Sequence, residues 1–172
     1  MAPAIKIQTI ADLKPCKDYW DVDRLRALSG GKDEATAETI AAADIPPEDR
    51  LWALLRDPFL DKPQLIVLAG RYAQRTNDLG RVKFPPVVEA IRLSVLAAQG
   101  QIVQAHFPNG IDEQIKSWLT SHPAQHVCAL LAANWASIAF AKQAENEGRD
   151  GYSAQQKCRE RNVKLALEMI GV

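Results

Sequence analysis

The stretch AQHVCALLAANWASIAFAKQA, residues 124–144, decides the fold. Its apolar side chains recur at three and four residues, the spacing that lays them along one side of an α-helix. That side is built largely from alanine, and Pro123 just before it suits a first helical turn. A helix so rich in alanine gains little burial per residue, so only the close approach of a neighbour offsets its ordering entropy. Trp135, set among Ala132, Ala133, Ala136 and Ala139, is expected to fit a groove made by another helix. The stretch therefore calls for helical neighbours and supplies almost no chemistry. Internal packing of its small side is the expectation; were that side exposed, it would be the surface for a homodimer.

Outward from this helix, the punctuation is helical in both directions. Gly148 and Gly151 break the chain, and Ser153 is positioned to cap a final helix running to Met169. Upstream, helices are expected over Ile111–Leu119 and from Pro86 to about Ala105. Pro63 opens PQLIVLAGRYAQR, in which Leu65, Leu68, Ala69 and Tyr72 share one side. Pro47 starts a shorter helix, with Glu48 and Asp49 where the positive helix end favours acids. Ile45-Pro46-Pro47 stops a helix over roughly Asp33–Ala43, and Ser29-Gly30-Gly31 stops another over Asp21–Leu28. Before these, Ile5 and Ile7 suit an irregular or partly extended segment with no convincing second strand to pair with it. The sequence thus predicts an all-α fold, a compact irregular bundle of about five to seven helices. Residues 1–20 form an irregular lead-in and residues 21–172 a single helical domain.

Composition narrows the function classes. With 172 residues, 47% apolar and 24% charged, the chain has the makeup of one soluble globular domain. Lys plus Arg and Asp plus Glu number 21 each, and that balance argues against nucleic acid as the default partner. Cys16, Cys128 and Cys158 are odd in number and far apart, which suits free thiols in a reducing interior. No apolar run is long enough for a membrane span, so no membrane association and a cytoplasmic location are expected.

Few residues offer catalytic or ligand chemistry. His122 and His126 are four apart and are the only metal candidates, but Pro123, Ala124 and Gln125 stand where a chelating helix motif places its glutamate. No cofactor and no metal are expected, and no cysteine–histidine pair is legible as a nucleophile with its base. Two basic groups stand out instead. Arg71 and Arg75 are four apart on the Pro63 helix, with Arg81 and Lys83 following; Lys157, Arg161 and Lys164 are spaced four and three on the last helix. Such rows are ordinarily solvated helix sides, and they also suit an acidic protein partner. Trp20, Trp52, Trp118 and Trp135 lie in four different segments, as core anchors would.

The strings IADLKPC (10–16), PPEDRLWALLRDPFL (46–60) and LAGRYAQR (68–75) resemble the opening of a bacterial immunity-protein family with alanine- and tryptophan-rich helices. CALLAANWASIAFAKQA (128–144) and CRERNVKLALEMI (158–170) resemble its closing half. The resemblance implies an all-helical protein that neutralises a toxin by binding it, without a catalytic site. The chain departs from the family's look in having one Trp in its alanine-rich segment and no dense Ala-Ala-Arg repeats. The leading expectation is a non-enzymatic protein-binding domain. The alternatives are a helical small-molecule-binding domain or enzyme with a polar pocket drawing on His106, His126, Arg71 or Glu89, and a nucleic-acid-associated protein using the C-terminal basic helix.

Overall fold

The computed structural model describes residues 3–13, 21–78, 96 and 124–172. Apart from Leu96, which is helical, the helices expected over Pro86–Ala105 and Ile111–Leu119 fall outside the described residues. So do Cys16, Trp20, Arg81, Lys83, Glu89, His106, Trp118 and His122. The described chain is all-α except for one short ribbon. In order it runs β1 (Ala4–Lys6), α1 (Ile7–Asp12), α2 (Val22–Leu28), β2 (Glu34–Thr36), α3 (Ala37–Ala42), α4 (Pro47–Leu54), α5 (Lys62–Asp78), α6 (Ala124–Asn146) and α7 (Gly151–Ile170). It divides into two units, Met1–Asp61 with Val163–Val172, and Lys62–Asn162.

The first unit corrects three expectations. The extended segment does find a second strand: β1 pairs antiparallel with β2, matching Ile5 with Ala35 and Lys6 with Glu34. Ile5 and Ala35 are both buried, whereas Lys6 and Glu34 are exposed and set opposite charges across the ribbon. The lead-in is also partly helical, since α1 starts directly after β1 and buries Ile7 and Ile10. Where a single helix is expected over Asp33–Ala43, β2 takes the first part and α3 the rest. Thr36 causes the break, because its extended backbone lets the hydroxyl accept from the Thr39 amide at 3.3 Å and cap α3.

The other ends in this unit follow the sequence closely. Asp21 caps α2 by accepting from the Asp23 amide at 2.9 Å. Gly30 and Gly31 then take positive φ, so that the Gly31 amide turns back to the Arg26 carbonyl at 2.8 Å. Pro47 opens α4, with Glu48 and Asp49 in its first turn and Leu51, Ala53 and Leu54 buried. Arg50 donates to the Ala41 carbonyl at 2.9 Å and so ties α4 to α3.

In the second unit α5 packs along α6. Leu65, Leu68, Ala69 and Tyr72 of α5 are fully buried, the side read from the sequence. On α6, Ala129, Ala132, Ala133, Ala136, Ala139 and Ala144 are buried within the chain. The small side is thus used internally, and the condition for a homodimer through it is not met. Trp135 lies half-buried on the same helix. α6 turns into α7 at Gly148, where φ is positive, and the cap of α7 is Asp150 rather than Ser153. Its carboxylate accepts from the Tyr152 amide at 2.9 Å and from the Ser153 hydroxyl.

Candidate functional site

The polar centre of the second unit is built on Asn162. This residue sits on the buried side of α7, four positions after buried Cys158 and four before buried Ala166. Helical periodicity therefore forces a carboxamide into an apolar row, where it must find partners or carry a desolvation cost. It finds three. Its Nδ2 donates to the Ala133 carbonyl of α6 at 3.1 Å and its Oδ1 accepts from Arg75 Nη1 of α5 at 3.0 Å, while the third bond, from the Tyr72 hydroxyl at 3.0 Å, is accepted by the main-chain carbonyl of Asn162. One asparagine, 1% exposed, thus links three helices. The Ala133 carbonyl is reachable because its own residue carries only a methyl group.

Arg75 completes the centre. Its guanidinium lies 5.7 Å from the Phe140 ring centroid, while Nη2 is buried and makes no hydrogen bond among the described residues. The electrostatics favour neutral neighbours. Burial pushes the Tyr72 phenol far above its usual range, against a smaller downward pull from Arg75. Burial likewise raises the Cys158 thiol, with Arg75, Arg161 and Arg159 pulling it down. Tyr72 therefore serves as a neutral hydrogen-bond donor and Cys158 as a protonated core thiol, neither poised as base or nucleophile. The arrangement holds helices together.

The residues singled out in the sequence separate on the structure. Arg71 is exposed, but Arg75, four residues on, is half-buried and committed to Asn162. The two arginines do not form one patch. Lys157, Arg161 and Lys164 are all exposed on α7. Among the described residues none of these three, nor Arg71, forms an ion pair. Lys142 by contrast bonds Glu145 at 2.7 Å, and Arg149 bonds Glu147. His126 is half-buried on α6, and no group of three His, Cys, Asp or Glu side chains that could hold a metal occurs among the described residues. No described helix is long and apolar enough to cross a membrane.

Two functional candidates escaped the sequence reading. Asn162 could have been found as the polar member of the Cys158–Asn162–Ala166 row. The other, Arg56, belongs to the first unit. It sits in LLRDPFL, four residues after Trp52 and flanked by Leu54, Leu55, Phe59 and Leu60, a setting that foretells a buried cation. The chain matches no family model, no curated protein and no solved structure.

Proposed function

We propose that the chain is a non-enzymatic protein-binding module of the toxin-neutralising immunity type, and that it docks an acidic partner. The observation that carries this reading is a set of exposed cations in the second unit that form no ion pair among the described residues: Arg71 on α5 and Lys157 and Arg161 on α7. A cation already paired within the chain loses that contact when it meets a partner; these three do not. Exposed apolar groups accompany them. Val67, 51% exposed, precedes Arg71 by one helical turn, and Tyr152, 71% exposed, stands at the start of α7. Tyrosine and arginine are the side chains that most often anchor protein interfaces. The rigid scaffold under them, fixed by Asn162, limits the ordering entropy lost on docking.

The test is co-purification of the tagged chain with the product of the adjacent gene, for the parent and for the triple variant Arg71→Glu, Lys157→Glu, Arg161→Glu. Stoichiometric retention by the parent, loss in the variant and an unchanged helical circular-dichroism spectrum are expected. No stoichiometric partner for the parent, or equal retention by the variant, would overturn the reading. Co-expression supplies a second readout: the parent restores growth of cells making the partner and the variant does not.

A further inference from the structure

Among the described residues of the first unit, Arg56 is the one charged side chain that is almost fully buried. It follows the C-terminal end of α4 and is only 7% exposed, yet its guanidinium has no hydrogen bond or ion pair among the described residues. What it has is a ring: its central carbon lies 4.2 Å from the Trp52 centroid. Asp57, next in the chain, is exposed and forms no ion pair with it. Burial lowers the Arg56 pKa to about 10, and no charge among the described residues contributes to that shift. Withdrawing a cation from water without an anion is costly in general, and the helix C-terminus and the indole face return only part of that cost. We propose that Arg56, backed by Trp52, is a binding subsite for a single carboxylate.

Three features select that ligand class. The indole covers a face of the guanidinium, which leaves the N–H edge, and a carboxylate meets that edge with two parallel hydrogen bonds. One isolated cation neutralises one negative charge, whereas a sulfate or phosphate dianion would bring a second, uncompensated charge into the same buried place. The stack also still touches solvent, because Trp52 is only half-buried. The subsite lies in the other unit from the cations of the proposed docking surface and stands independently of that reading.

The carboxylate is either a free small molecule or a side chain of an acidic peptide, and one titration separates the two. The full-length chain, labelled with nitrogen-15, is titrated at constant ionic strength with sodium acetate, with sodium sulfate and with a short glutamate-rich peptide. The Arg56 Nε–H and Trp52 indole N–H signals are followed, assigned by their disappearance in Arg56→Lys and Trp52→Phe. The expected result is a saturable acetate shift at both signals, with a sulfate midpoint at least about tenfold higher. A peptide midpoint below that of acetate identifies a protein source, and a peptide without effect identifies a free small carboxylate; either keeps the subsite. A linear acetate drift without saturation, or sulfate binding as well as acetate, would overturn it.

Discussion

Arg75 and Arg56 are the two informative cations of this protein, one in each unit, and they solve the same problem differently. Both lie beside an aromatic ring, Phe140 at 5.7 Å and Trp52 at 4.2 Å. Arg75 gives a hydrogen bond to Asn162, which in turn bonds Ala133, so its partial burial is offset by a network. Arg56 is more deeply buried, sits closer to its ring and lacks such an acceptor among the described residues. The difference teaches that an aromatic face can shelter a guanidinium but does not replace acceptors for its donors. A network makes an arginine structural, and its absence leaves one available for a ligand.

The largest expected effect breaks the first half of that comparison. Asn162→Ala leaves the Ala133 carbonyl and an Arg75 donor unsatisfied and should lower stability by about 3 kcal/mol. The midpoint of urea unfolding measures it. Arg75→Met removes one of the same bonds and should cost about 2 kcal/mol. If the two residues act as one network, the double variant loses less than the sum of the single changes, which a double-mutant cycle reads directly.

Arg56→Met should move the other way. In buffer without carboxylates it removes an unpaired buried charge and should raise stability by about 1 kcal/mol. Because the folded Arg56 pKa is depressed to about 10, the unfolded chain binds that proton more tightly. The parent then gains stability as pH climbs above about 10, and its deficit against the variant narrows. An Arg56→Met variant less stable than the parent would place both arginines in one class and erase the contrast.

The smallest effect concerns Asp150. Hydrogen bonds from Ser153, side chain first and then backbone, hold its carboxyl below the ordinary range. That contribution is complete above the unfolded value near 3.8 and is lost as pH falls through the lower folded value. Exchange protection of the Tyr152 and Ser153 amides, taken relative to the intrinsic rate at each pH, should fall as pH drops below 3.8, before protection around Asn162 responds. A simultaneous loss of protection at both places would show that the cap and the network open together.

The helices were legible because their signals are local. Pro47 and Asp21 stand where the chain enters α4 and α2, and Gly30-Gly31 ends α2 as read. The ribbon was not legible, since its two strands have three residues each and two helices lie between them among the described residues. Three residues are too few to display a period of two, and Ile5–Ala35 pairing is a long-range choice that no local pattern announces. Thr36 shows the same limit: a β-branched residue inside an alanine-rich run reads as helix until the strand beside it is known. For the candidate site, the spacing of Lys157, Arg161 and Lys164 was enough to place them on the exposed part of α7, whereas the spacing of Arg71 and Arg75 was not enough to place those two together. Burial separated Arg71 from Arg75 only when Asn162 was in place to receive the second.

The methyl-lined side of α6 carries one more consequence, for how this protein tolerates mutational drift. In an ordinary core the damaging change is truncation, which leaves a cavity. Ala132, Ala133 and Ala136 have nothing to truncate except one methyl group, so for them the damaging direction is growth. A valine or leucine there must displace packed neighbours, and at Ala133 the added bulk sits beside the carbonyl that Asn162 uses. Tolerated sequences along α6 are therefore bounded from above in volume, with glycine and serine as the accessible exchanges. Its alanine richness is in that sense a steric ceiling.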